Sequence, residues 1–244
     1  MVSSVYHLFL QSVKKHASAP ATKHKQAGGW VVTSWTQMSQ EVQSLAGGLV
    51  DLGVQPDDRV AILSNTCLEW TLTDLAIWAV GACGVPIYHS NTPQEIAFIL
   101  KDCGARVLFV EDEQQLHKVE SILSQAPALE VIVSYRKTDK KETHGKQLIC
   151  LQHLRETSCD AFLEKTPWRQ LQATSLATIV YTSGTTGQPR GAMITHHNLL
   201  HQGKTIQQMN LIFPGDVQLL FLPLSHIFAR FLEIAWLQTG HVLA

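Results

Sequence analysis

Four apolar runs constrain the fold most: RVAIL at 59–63, VPIY at 85–88, RVLFV at 106–110 and LEVIVS at 129–134. Strands buried on both faces read as near-continuous apolar runs, whereas strands with one wet face alternate. Between the runs lie helical patterns at 68–81, 93–104 and 113–124. Pro93 stands where a helix opens and Gly104 where it stops, the asymmetry that helix ends favour. The segment 36–52 has apolar residues at 38, 42, 45, 49 and 52, one stripe at helical spacing, and Gly53 closes it. The N-terminal MVSSVYHLFLQSVKKH reads as one more amphipathic helix. Strands recurring roughly every 20–25 residues with helices between them predict an α/β fold: mostly parallel sheets with helices on both faces.

Other features narrow the function. The 244 residues carry 19 basic and 20 acidic side chains, without the basic excess that nucleic-acid binding needs. Five cysteines, an odd number with no C-x-x-C, argue for a reducing compartment and a cytoplasmic protein. The uncharged stretch 75–94 has about the length of a membrane span, but Gly81, Gly84 and Pro86 interrupt it. A buried helix followed by a buried strand is expected there. The polar run RKTDKKETHGKQ at 136–147 reads as a solvated loop, and is a candidate boundary between sheet subdomains.

The segment YTSGTTGQPRG at 181–191 carries chemistry. A strand ends at Tyr181. Gly184, Gly187 and Gly191 free the backbone to turn and approach a ligand. Thr182, Ser183, Thr185 and Thr186 offer hydroxyls, and Arg190 adds a permanent positive charge. Successive N–H groups in such a turn form an anion-binding nest. The loop is not G-x-x-x-x-G-K-[ST], and GAMIT after it reads as a second strand. The segment is therefore expected to be a hairpin that grips phosphates through Thr182, Ser183, Gly184, Thr185, Thr186, Gly187 and Arg190. His226 follows a strand expected at 219–222 and is a further candidate. Ser225 and His226 do not form a hydrolase dyad, since adjacent residues of an extended chain point apart. His196 and His197 lie at a helix start, and no metal site is read from them. Trp70 and Trp78 share one side of a helix and are expected to pack in the core.

The 181–191 loop resembles the signature of the adenylate-forming superfamily, an aromatic residue followed by TSGTTG-x-P-K-G. Arg190 replaces the usual lysine; it keeps the charge but is bulkier and forked. The resemblance extends through Trp35-Thr36, AGGLVDLG, DDRVAILSNTCLEW, GACGVPIYHSNTPQEIAFILKDCGARVLFVED and FLPLSHIFARFLE. The last block is similar to the long-chain fatty acyl-CoA synthetase branch, which often has Glu where Ala229 stands. The resemblance implies two half-reactions using ATP, Mg2+ and coenzyme A. A fatty carboxylate is adenylated, then passed to the thiol, with His226 beside the acyl carboxylate and adenylate. An adenylate former for another carboxylic acid and a non-catalytic nucleotide-binding remnant are the alternatives. Fatty substrates leave peripheral association with the inner face of a membrane open, and no protein partner is evident. By resemblance, residues 1–244 form the front part of the AMP-binding domain. The family's adenine- and ribose-binding segments and its C-terminal domain with a catalytic lysine match nothing here. A fragment inactive by itself is therefore expected, with HVLA at 241–244 starting a strand and the helix at 228–239 keeping one apolar face uncovered.

Overall fold

The computed structural model describes residues 2–138, 141–156, 167–183 and 188–244. The chain opens with α1 (Val5–His16), the hairpin β1 (Pro20–Gln26) and β2 (Gly29–Ser34), and α2 (Trp35–Asp51). An alternating run follows: β3 (Arg59–Leu63), α3 (Leu68–Ala79), β4 (Cys83–Ile87), α4 (Pro93–Cys103), β5 (Val107–Val110), α5 (Glu113–Glu120) and β6 (Val131–Ser134). Then come β7 (Glu142–Thr143), β8 (Lys146–Cys150), α6 (Leu151–Glu156), β9 (Leu176–Ser183) and β10 (Pro189–Thr195). The chain closes with α7 (His196–Gln208), β11 (Val217–Gln218), α8 (Ile227–Thr239) and β12 (Val242–Leu243).

Helix starts are written locally. Ser34 with Gln37, Thr92 with Glu95 and Thr195 with Asn198 each form a reciprocal capping box, which satisfies two backbone donors at once. Pro93 occupies the first turn of α4, and Gly104 ends it at φ 64°, a left-handed position that glycine adopts without strain.

The main sheet has eight strands in the order β10-β9-β4-β3-β5-β6-β8-β7. Its inner six are parallel, and β10 and β7 are antiparallel edges. Side chains alternate between two cores. Val60, Ile62, Val107 and Phe109 face the layer of α1, α2, α3, α7 and α8. Ala61, Leu63, Leu108 and Val110 face α4 and α5. The α/β sheet covered on both faces is therefore present as expected. The segment 136–147 leads from β6 into the β7–β8 hairpin, and β8 pairs beside β6 in the same sheet.

Three local expectations change. The helix expected over 113–124 stops at Glu120, and Leu123–Gln125 is a separate 3-10 turn. No strand forms over 219–222; β11 is only Val217–Gln218, beside β12. Beyond it the Leu220 N–H still donates to the carbonyl of Ala244 alongside β12, but Leu222 and Leu224 bond to the Thr66 hydroxyl, where the backbone bonds leave the ladder. The helix α8 does not keep an uncovered apolar face: Ile234, Ala235, Trp236 and Leu237 are buried, and it packs on α7 and α1. Strand β12 also has partners on both sides, β11 and β1, in a second sheet ordered β11-β12-β1-β2. The β1–β2 hairpin escaped the sequence reading because PATKHKQ is polar and GWVVTS is a largely exposed edge strand.

The stretch 75–94 divides between α3 and β4 as expected. Among the described residues no helix is long and apolar enough to cross a membrane.

Candidate functional site

Strand β9 joins the sheet beside β4, in parallel, at Gly84 opposite Thr178. Its start is fastened twice: the Thr178 hydroxyl donates to the carbonyl of Gly84 at 2.8 Å, and the Trp78 indole N–H to the carbonyl of Ala177 at 2.9 Å. The strand runs to Ser183 at the carboxyl edge of the parallel strands, where ligands bind in open α/β sheets. There β10 returns antiparallel, with Ser183 opposite Pro189, Thr182 opposite Arg190 and Tyr181 opposite Gly191. The expected hairpin therefore exists. Opposed residues of an antiparallel pair share a face, so the exposed Thr182 and Arg190 stand on one side of the ribbon. Gly184, Thr185, Thr186 and Gly187 lie outside the described residues.

His226 is exposed at the N-terminus of α8. Its Nδ1 accepts from the Phe228 N–H at 3.2 Å, and its own N–H donates to the carbonyl of Pro223 at 2.8 Å. With Nδ1 accepting, the neutral ring carries its proton on Nε2 and can donate from there. Ser225 is buried beside it. Thr66, just past the carboxyl end of β3, positions the approach to His226: its hydroxyl donates to Leu222 at 2.8 Å and accepts from the Leu224 N–H at 3.0 Å. The order β9-β4-β3 puts the two anchor strands two spacings, about 10 Å, apart along one sheet edge. The sequence reading passed over Thr66; its signal is a hydroxyl just past the end of a parallel strand. A cavity of about 230 Å³ opens beside it, lined by Leu68, Leu219, Leu220 and Leu243, with Trp30 and Lys25 on the far wall.

A charged cluster lies buried behind His226. Positions 226, 230, 233 and 237 follow one stripe of α8. The Arg230 Nη2 donates to Asp74 Oδ2 at 2.6 Å, and both side chains are fully buried. The guanidinium lies 5.2 Å from the ring centres of both Trp70 and Trp78, within the range of cation–π attraction. The two tryptophans are core residues as expected, and they also enclose a cation. Glu233 is buried near the pair; burial and then the Asp74 charge push its carboxyl well above the usual carboxylate range.

His196 and His197 separate. His196 is buried, accepts from the Val5 N–H at 3.3 Å and packs edge-on to Trp78. Burial, then Arg230, then His7 lower its pKa to about 3. His197 is exposed, next to His201. Among the described residues no three His, Cys, Asp or Glu side chains gather as a metal site.

Replacing the exposed His226 by alanine is expected to cost only about 1 kcal/mol of stability, the scale of one lost cap. Urea denaturation checks this, and a loss of several kcal/mol would make the residue structural.

A family model described as AMP-binding enzyme matches residues 9–244. The long-chain-fatty-acid–CoA ligase FadD15 of Mycobacterium tuberculosis is 34% identical over 212 residues, 85% of this chain and 34% of that protein. The human long-chain-fatty-acid–CoA ligase ACSBG2 is 31% identical over 234 residues, 95% of this chain and 35% of that protein. The chain thus spans about a third of the length of the curated relatives it matches. Among solved structures, acetoacetyl-CoA synthetase from Streptomyces lividans superposes with a TM-score of 0.83 at 19% identity, covering 98% of this chain and 38% of that one. The N-terminal domain of FACL13 from Mycobacterium tuberculosis gives 0.79 at 20% identity, covering 100% and 57%.

Proposed function

This chain belongs to the AMP-binding enzyme family, and from that premise we propose that it supplies the ATP-handling part of a fatty acid–CoA ligase. The observation that carries the reading is Thr182 opposite Arg190 at the turn end of the β9–β10 hairpin, on the carboxyl edge of the sheet. Thr182, Ser183, Gly184, Thr185, Thr186, Gly187 and Arg190 hold the polyphosphate of ATP, which arrives with Mg2+ bound to it. A fatty carboxylate attacks the α-phosphorus and pyrophosphate leaves. The thiol of coenzyme A then attacks the acyl carbon and AMP leaves. Neither step needs a nucleophile from the protein, whose part is positioning and charge stabilisation. His226 donates from Nε2 to the acyl carboxylate and adenylate. The curated relatives named as long-chain-fatty-acid–CoA ligases support the choice of acid. A cytoplasmic enzyme working at the inner face of a membrane suits such a substrate.

Titration calorimetry of the chain with magnesium-ATP tests the reading. Arg190→Ala is expected to weaken binding by about 10–150-fold, the value of one charged hydrogen bond. Unchanged affinity in that variant would remove Arg190 from the site. A panel of carboxylic acids in ATP–pyrophosphate exchange separates fatty acids from aryl and amino acids.

A further inference from the structure

The β9–β10 hairpin reaches well past its last pairing with the sheet. The registered pair of β9 with β4 is Thr178 opposite Gly84, and five further residues, about 16 Å of strand, carry it to Ser183. Over that length the registered pairs of β9 are all with β10, and Thr182 and Ser183 run past the end of β4 at Ile87. A two-stranded ribbon is marginal and strongly twisted when nothing else supports it. Side-chain contacts must therefore fix where Thr182 and Arg190 face.

Those contacts are on the opposite face of the ribbon. Successive side chains of a strand point to opposite sides, so Tyr181 and Gly191 face away from Thr182 and Arg190. The Tyr181 ring lies against α4, edge-on to Phe98 with centroids 6.4 Å apart at 90°. Its hydroxyl donates to Asp102 Oδ2 at 2.5 Å. Phe98 and Asp102 are four residues apart and so lie one above the other on α4. Gly191 completes the fit: a Cβ there would come within 3.1 Å of the Tyr181 ring and 2.7 Å of Ile179 Cγ2. Only glycine lets β10 lie across the ring. Burial first, and then the Asp102 carboxylate, raise the phenol pKa well above its ordinary value, so the hydroxyl stays a donor.

We propose that Asp102 is a positioning residue: by holding the Tyr181 hydroxyl, it locks one face of the hairpin onto α4 and so sets the direction in which Thr182 and Arg190 meet the phosphates. The proposal rests on the phosphate-binding reading of the hairpin. It explains why an aromatic residue with a hydroxyl stands just before the loop and why glycine stands opposite it. Asp102 touches no substrate and acts through Tyr181.

The test uses the whole chain, inorganic tripolyphosphate as the probe, and two readouts: calorimetric affinity, and amide hydrogen exchange without ligand. Asp102→Ala and Tyr181→Phe are each expected to weaken tripolyphosphate binding about three- to tenfold, the scale of one hydrogen bond. Asp102→Asn keeps an oxygen to accept from the phenol and is expected to change affinity less than about twofold, the neutral bond being only somewhat weaker. In Asp102→Ala, amides at 181–183 and 189–191 are expected to exchange faster while those of β3, β4 and β5 do not change. Arg190→Ala serves as the control for the loop. If Arg190→Ala loses binding while Asp102→Ala binds and exchanges like the wild type, the positioning role is wrong and the phosphate reading stands. If binding does not depend on Arg190, or the wild type does not bind, the phosphate reading falls and the proposal with it. Faster exchange spread over the whole sheet in Asp102→Ala would make the residue a general support and overturn the positioning role.

Discussion

Arg230→Ala is expected to destabilise the chain by about 3–5 kcal/mol, the cost of leaving a buried charge without its partner. At about 2–4 °C per kcal/mol for a chain of this size, the melting temperature drops by roughly 10 °C. The reason is local and specific. Asp74 and Arg230 are both fully buried and 2.6 Å apart, so removing the cation strands the carboxylate. The variant also empties the space between Trp70 and Trp78. Asp74→Leu combined with Arg230→Met is expected to recover most of the loss, since well-packed apolar groups replace buried ion pairs at little cost. A loss below about 1 kcal/mol in Arg230→Ala would show that the pair is dispensable. The cluster also predicts a pH dependence. Burial pushes the carboxyl groups of Glu233 and Asp74 upward, with Arg230 partly offsetting this at Asp74. The folded chain then holds protons that the unfolded chain has already released. The stability these two groups contribute is greatest below the ordinary carboxylate range and falls as pH rises through and above it. Glu233→Gln is expected to flatten that fall, and urea midpoints across pH read the difference.

Trp236→Ala is expected to cost a similar amount, about 3–5 kcal/mol. Trp236 is fully buried and stacks on Trp35 with centroids 4.7 Å apart and planes 18° apart. Its indole N–H donates to the carbonyl of Ala21 at 3.0 Å. One side chain thus ties α8 to α2 and to the first strand. Trp236→Phe keeps an aromatic ring but leaves that carbonyl without its donor, and is expected to lose about 1–3 kcal/mol. Equal losses for the two variants would mean that the hydrogen bond, and not the stacking, holds this junction.

The sheet was legible in the sequence because its inner strands are buried on both faces. RVAIL and RVLFV have no other stable reading than strand, and they are β3 and β5. The hairpin was legible too, since a strand, a glycine-rich turn and GAMIT can only fold back on themselves, and β9 and β10 do. The β1–β2 hairpin was not, because PATKHKQ carries no apolar run and GWVVTS is a short, largely exposed edge strand. The expected strand at 219–222 failed for a related reason. An apolar run has the right composition, but at Leu222 and Leu224 its backbone bonds go to the Thr66 hydroxyl and not to a neighbouring strand.

What the amino-acid order alone determined is what neighbours decide: helix caps at Ser34, Thr92 and Thr195, buried strands, and a turn dense in glycine, hydroxyls and charge. What only the tertiary structure decided is which distant groups meet. Asp74 and Arg230 are 156 residues apart, Ala21 and Trp236 are 215 apart, and Asp102 and Tyr181 are 79 apart. Periodicity reports which face of an element is apolar, but not which polar group will be trapped against it. A buried arginine reads in the sequence like a surface one, because its charge becomes tolerable only when the fold brings a carboxylate and two indoles around it.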